Sequence, residues 1–467
     1  MSWLFSKFTL ISLFLVLIVG GGAFWYFNQP GGKQEFALQS LSVVSKVSKL
    51  LPLEEDTKKE IEAVQKLSEA VLKKDGVTRT YLVMLQNNYE LRPGGGFLGQ
   101  YAVVKVKDGA VVSTFVEDAN LLDQRINIKV TPPYPLTRKL QLKRWKFRDS
   151  NFSPDFPTNA EKAMYFYRLA GGGQQFDGVI AVNSTIFDRA LEITGPIQVP
   201  GYPETYTSTD GSLKLQERVE KAYLGEDVAA ELKQNRKAIM RPLANEMVKR
   251  LTQIENIPKA LEMGQQELRE KDIMLFFKDP TLQKIVTDAK WGGVVNTEWK
   301  DDYLMLVDAN MGALKSDYYM KRSIDYVVDF TGEKPIATLT HTYTHTATRG
   351  DWKTSDYHTY LRAYVPEGST LLERKLVGYP LTDKAFGKTY FGVFVDTLIN
   401  GSTAGMIKYQ LPDTIKPENY RLLIEKQSGV GTIPVTITIK TKEKEIKQTA
   451  DLKRDLVFSL QEVEERK

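Results

Sequence analysis

Three short apolar runs in this chain each break off into polar residues. They are residues 81–85 before Gln86-Asn87-Asn88, residues 178–182 before Asn183, and residues 303–307 before Asp308-Ala309-Asn310. Runs of this length, bounded by polar residues, read as buried β-strands. From 78 to about 288 such strands alternate with amphipathic helical patterns at 159–169, 185–193, 215–223, 227–251 and 257–275. Alternation of this kind predicts an α/β domain, a mixed and mostly parallel sheet with helices on both faces. Residues 97–106 and 110–116 flank Lys107-Asp108-Gly109 and read as a hairpin. In open α/β sheets, ligands bind beyond the carboxyl ends of parallel strands. If the three runs share one sheet, a site falls near Asn88, Asn183 and Asp308.

From about 324 the rhythm changes to strand after strand, at 337–346, 358–365, 390–396, 405–409, 420–426 and 432–439. Turn signals such as Pro366-Glu367-Gly368 and Asn400-Gly401 separate them, which predicts an antiparallel β-sandwich. At the other end, residues 8–27 form an uncharged apolar run edged by Trp3, Phe5, Phe24, Trp25, Tyr26 and Phe27. Its length matches a single transmembrane helix with interfacial aromatics. Gly22-Ala23 leaves signal-peptide cleavage as the alternative. The pattern predicts an anchor and its flanks at 1–32, a helical stalk at 33–76, the α/β domain at 77–323 and the sandwich at 324–467. The bulk of the chain is then extracytoplasmic and tied to the cell membrane.

Composition narrows the chemistry. The chain has 467 residues with 63 basic and 58 acidic ones, a net charge of +5. That near balance gives no reason to expect nucleic-acid binding, which needs a clustered basic face. Cysteine is absent, which excludes disulfides, thiolate metal sites and cysteine nucleophiles. The three histidines, His341, His345 and His358, all fall in the β-rich part. His341 and His345 share a strand face, expected to be solvated, with a metal site as the sharper alternative. Any acid–base work in the α/β part therefore falls to Asp, Glu, Lys or a metal-bound water.

Two segments concentrate polar residues. Gln86-Asn87-Asn88-Tyr89-Glu90-Leu91-Arg92-Pro93-Gly94-Gly95-Gly96 joins an arginine to three glycines. The glycines would let a backbone approach a ligand, and Arg92 would hold phosphate or carboxylate. The competing reading is a β-connection in which Arg92 pairs with Glu90. Trp145-Lys146-Phe147-Arg148-Asp149-Ser150-Asn151-Phe152-Ser153-Pro154-Asp155 offers Arg148, Asp149, Asn151 and Asp155 on an extended loop. Here the competing reading is structural, with Asp155 and Asn159 capping turns.

These segments carry a resemblance. QNNYELRPGGGF (86–97), RDSNFSPDFP (148–157), FDGVIAVNSTIFDRALEITGPIQV (176–199) and LMLVDANMGALKSDYY (304–319) resemble an uncharacterised membrane-anchored bacterial family, domain of unknown function 4012. More remotely, the chain is similar to the LytR–CpsA–Psr phosphotransferases, which move polyprenyl-pyrophosphate-linked glycopolymers onto the cell wall. That resemblance implies that Arg92 and Arg236 hold the pyrophosphate and that Asp118 holds the metal or contacts substrate. The candidate site then takes Arg148 as a further phosphate clamp, Asp149 with Asp118 as Mg²⁺ ligands or catalytic base, Asn88 and Asp308 as orienting groups, and Asn151 and Asn183 as further substrate-binding groups. The arginine–aspartate pair of those enzymes is Glu117-Asp118 here. The expected function is an envelope protein acting on or binding a lipid-linked glycan or cell-wall polymer; the alternative is a non-catalytic module binding a glycan or protein partner.

Overall fold

The structure is a computed structural model and describes residues 54–220, 238–253 and 255–461. The membrane run at 8–27, the first part of the stalk (33–53) and Arg236 lie outside them. The chain forms two compact, interleaved units. One comprises the chain up to Gln86, Gly99–Leu122 and Gly171–Gly293; the other comprises Asn87–Leu98, Asp123–Ala170 and the chain from Val294 onward.

The first unit is built on five strands: β1 (Thr78–Arg92, as far as Gln86), β2 (Gly95–Lys107, from Gly99), β3 (Ala110–Asp118), β4 (Gly178–Asn183) and, after the two-residue β5 (Ile197–Gln198) and β6 (Thr205–Tyr206), β7 (Ile273–Phe277). Their order is β3-β2-β1-β4-β7. β1 and β4 pair in parallel, Tyr81 opposite Gly178, whereas β4–β7 and β2–β3 are antiparallel. The sheet is mixed as expected but is not mostly parallel, because a hairpin and an antiparallel strand flank the parallel pair. Asp108 and Gly109, both at positive φ, make the tight hairpin turn between β2 and β3. The helix Glu55–Val71 lays Ile61, Val64 and Leu67 against Tyr81, Ile180, Leu275 and Phe277. A second cluster joins the helices Thr185–Thr194 and Met240–Leu251 through Leu191, Leu243 and Met247. The helical pattern at 257–275 splits into a helix, Ile257–Arg269, and β7, since five consecutive buried apolar residues suit a strand covered on both faces better than one helix face.

The second unit holds a β-sandwich. Its strands are β8 (Asp302–Asn310), β9 (Met320–Asp329), β10 (Ile336–His345), β11 (Tyr357–Pro366), β12 (Thr370–Lys375), β13 (Leu381–Ala385), β14 (Lys388–Thr397), β15 (Ser402–Gln410), β16 (Arg421–Glu425), β17 (Ile433–Lys440), β18 (Glu445–Leu452) and β19 (Leu456–Ser459). They form two six-stranded sheets, ordered β12-β15-β10-β9-β17-β18 and β13-β14-β11-β8-β16-β19. Most pairs are antiparallel, but β8–β16 and β9–β17 are parallel. The core between the sheets is apolar and aromatic, with Leu304, Ile324, Leu339, Leu361, Phe391, Ile407 and Ile437 fully buried.

One expectation is overturned at this level. The apolar run at 303–307 is not a partner of β1 and β4. It is β8, a central strand of the sandwich, bonded to β11 on one side and β16 on the other. All nine of its residues are buried, which suits a strand covered on both faces and gives no hint of which sheet it joins.

Candidate functional site

The three strands expected to frame the site do not share one sheet, since β8 lies in another. What the second unit holds instead is a buried polar network assembled from the two singled-out segments and β8. β1 continues as strand through Gln86-Asn87-Asn88 to Arg92, where a loop was expected. Its polar residues at 86, 88, 90 and 92 recur with the period of a strand face and are all buried, a signal readable in the sequence.

Arg92 is at the centre, with 2% exposure. Its Nε donates to Asp149 Oδ1 at 3.0 Å and its Nη2 to Glu90 Oε1 at 2.9 Å. Its Nη1 donates to the carbonyls of Asn310 at 3.2 Å and Leu91 at 3.3 Å. Burial works against the guanidinium's charge, but Glu90 and Asp149 outweigh it and push its pKa up. Burial pushes the Glu90 carboxyl up, against the pull of Arg92 and Lys315. The pairing of Arg92 with Glu90 is therefore the structural alternative, extended by Asp149.

Asp308 anchors a second ion pair. Arg322 Nε donates to Asp308 Oδ2 at 3.0 Å and Arg322 Nη2 to Asp317 Oδ1 at 2.6 Å. Tyr343 and Thr359 hydroxyls donate to Asp308 Oδ1 at 2.7 and 3.0 Å. Gln427 joins the two pairs: its Nε2 donates to the Arg92 and Asp308 carbonyls at 3.1 and 2.8 Å, and its Oε1 accepts from the Asp308 N–H at 2.8 Å. Glu90, Asp317, Arg322 and Gln427 were not among the expected site residues, because a lone polar residue does not show in sequence which distant group it pairs with.

The glycines serve close backbone packing. A Cβ on Gly96 would lie 2.2 Å from the Asn87 carbonyl carbon, and one on Gly94 would lie 2.3 Å from Asn159 Nδ2. Asn151 donates to the Gly96 carbonyl at 2.6 Å, and its own carbonyl accepts from Gly94 N–H at 2.9 Å. Asn88 donates to the Gly429 carbonyl at 3.1 Å. Asp155 caps the helix Phe156–Leu169 by accepting from Thr158 N–H at 3.0 Å, and Asn159 ties back to Ser153, as the structural reading expected.

The other expected residues sit in different surroundings. Arg148, adjacent to Asp149 in sequence, turns to Asp123 at 2.6 Å and forms its own ion pair. Asp118 and Asn183 belong to the first unit. Asp118 Oδ1 accepts from Asn120 N–H at 2.8 Å. Asn183 Nδ2 donates to Asp272 Oδ1 at 2.8 Å, beside Arg189, which pairs with Glu267 at 2.6 Å and Glu270 at 2.8 Å. Burial, then the nearby Asp272, pushes Glu267 up to about 8.

As a Mg²⁺ ligand Asp149 is a poor fit, since a guanidinium occupies its Oδ1 in a dry interior and would repel a divalent cation. Among the described residues no group of three or more His, Asp or Glu gathers to hold a metal. His341 and His345 do share a face, but it is the buried one, not the solvated one. His345 Nε2 contacts the Ser355 carbonyl at 3.1 Å, while His358 pairs with Asp396 at 2.5 Å on the outside.

Residues 76–223 match a family model described as a protein of unknown function, DUF4012. That match supports the DUF4012 family over this stretch. No curated protein matches the chain. Two solved structures are similar. The Lin1025 protein from Listeria innocua is 14% identical, covering 46% of this chain and 79% of its own, with a TM-score of 0.26. Protein gbs0355 from Streptococcus agalactiae is 12% identical, covering 47% and 75%, with a TM-score of 0.28. Likeness this slight leaves fold and function to be read from the chain itself.

Proposed function

We propose that this is a non-catalytic envelope protein, anchored by residues 8–27, that binds a glycan or protein partner outside the cytoplasm. The observation that carries this reading is the enclosure of Arg92. Each of its three guanidinium nitrogens donates to protein groups, and water scarcely reaches it. A pyrophosphate clamp needs donors that a ligand can reach, and these are spent on tying β1 to Asp149 and to the end of β8. Arg148 is engaged separately with Asp123. Anchoring rests on the sequence of residues 8–27.

The phosphotransferase reading, with Arg92, Arg148 and Arg236 on the pyrophosphate and Mg²⁺ at Asp118 and Asp149, is the competing one. Full-length protein is reconstituted with a polyprenyl-pyrophosphate-linked glycan and Mg²⁺, and released phosphate and transferred glycan are measured. The binding reading expects no turnover, with retention of purified cell-wall glycan or of a partner protein. Turnover lost in Asp118→Asn at unchanged melting temperature would establish the transferase instead.

A further inference from the structure

The connections β9–β10, β15–β16 and β17–β18, with the residues just after β19, enclose a cleft of about 590 Å³ in the sandwich unit. That volume is within the range of small-molecule sites. Every residue lining it falls outside the strands. The floor is apolar. Pro335, Ile415 and Leu460 are buried there, and Phe330 is half-buried, packed edge-to-face with Tyr420 at 5.6 Å between ring centroids. Backbone hydrogen bonds hold the walls: Phe330 N–H donates to the Lys440 carbonyl at 2.8 Å, Thr441 N–H to the Lys444 carbonyl at 2.8 Å and Leu460 N–H to the Tyr420 carbonyl at 3.1 Å. A site held in shape beforehand gives up little freedom when a ligand enters.

The rim is polar and its charge is balanced. Lys416, Lys442 and Lys444 stand with Glu333, Glu418 and Glu443, all six exposed. The adjacent Lys334 and Lys440 are engaged elsewhere, with Asp413 at 2.7 Å and Glu445 at 3.3 Å. Among the described residues Glu333, Lys416, Glu418, Lys442 and Glu443 form no ion pair, so strong donors and strong acceptors surround the cleft without neutralising one another. Such a rim matches an uncharged ligand whose groups both donate and accept. Sugar hydroxyls do both, and the C–H face of a pyranose ring suits an apolar floor with an aromatic ring in it. An anionic ligand would meet the glutamates as well as the lysines. An extended peptide finds no strand edge in the cleft, and main-chain bonds to such an edge are what hold added strands.

We infer that this cleft is a glycan-binding subsite for uncharged pyranose residues, with Phe330 packing against a sugar ring and Glu333 and Lys416 holding its hydroxyls. The inference deepens the binding reading above, giving its ligand class and its place, and rests on it. Full-length protein is titrated with uncharged oligosaccharides built from hexose and N-acetylhexosamine, and with polygalacturonate fragments as the anionic comparison. Retention on purified cell-wall glycan is measured in parallel. Wild type should bind at least one uncharged oligosaccharide, with an affinity that added salt leaves unchanged, since no charge is being neutralised. The double variant Glu333→Ala with Lys416→Ala should bind about tenfold more weakly at an unchanged melting temperature. Phe330→Leu, which keeps apolar bulk and removes the ring, should weaken binding as well. Lys334→Ala, which disturbs only the pair with Asp413, should bind as wild type does.

Retention of cell-wall glycan that the double variant does not reduce overturns the cleft and leaves the binding reading standing. Capture of a partner protein with no oligosaccharide bound does the same. Preference for polygalacturonate, or binding that salt abolishes, overturns the uncharged ligand class. If wild type retains neither glycan nor partner, both readings fall.

Discussion

Single side chains in the sandwich set opposing pH dependences. Asp302 is fully buried among tyrosines, accepting from Tyr420 at 2.6 Å and Tyr326 at 2.9 Å. Burial pushes it up to about 7 despite those hydrogen bonds. The unfolded carboxyl ionises near its ordinary value, so this residue's contribution to stability falls as pH rises from about 4 to 7. The loss amounts to about 4 kcal/mol at most. His341 acts in the opposite sense. Among the described residues neither ring nitrogen has a hydrogen-bond partner, Asp308, Arg322 and Tyr343 lie near it, and burial lowers it to about 4. Its neutral form is the native one, so stability is lost as pH falls from about 6.5 toward 4. Thermal melts across pH 4–8 should show the gain from Asp302→Asn growing with pH. The gain from His341→Leu should grow as pH falls. Parallel curves for wild type and variant would refute either assignment. Arg92→Ala leaves Glu90 and Asp149 buried without their cation and should cost about 3–5 kcal/mol in a denaturant titration. A cost below 1 kcal/mol would mean the network is solvated after all.

Among the elements, β1 and its glycine corner show how local pattern and tertiary context divide the information. The apolar half of β1 was legible from its uninterrupted run. Its polar half looked like a ligand-binding loop, because buried polar strand faces are rare and the partners that satisfy them come from positions 149, 310 and 427. The three glycines suited a ligand cradle equally well in sequence. Only the approach of the Asn87 backbone to Gly96 shows what they accommodate. Gly96→Ala should therefore lower stability by about 3 kcal/mol or more, since backbone atoms have little room to yield. Gly99→Ala, with open space around its would-be Cβ, serves as the control in the same urea titration.

At the scale of the molecule, the second unit is assembled from three separate stretches of chain. A fragment 324–467 lacks β8, which bonds to both β11 and β16, and so opens the middle of one sheet. A fragment 294–467 restores β8 but lacks residues 87–98 and 123–170. Neither should show the cooperative heat melt of the full chain, as followed by circular dichroism; a sharp melt of 324–467 would contradict this placement of β8. The β2–β3 hairpin, six of the twelve sandwich strands and the Asp155 cap follow from the sequence alone, because periodicity, turn residues and capping act over a few neighbours. The sheet that receives β8, the enclosure of Arg92 and the separation of Arg148 from Asp149 were decided by the tertiary structure. Strand pairing and ion pairing join residues tens to hundreds of positions apart, and an apolar run or a lone arginine bears no mark of its distant partner.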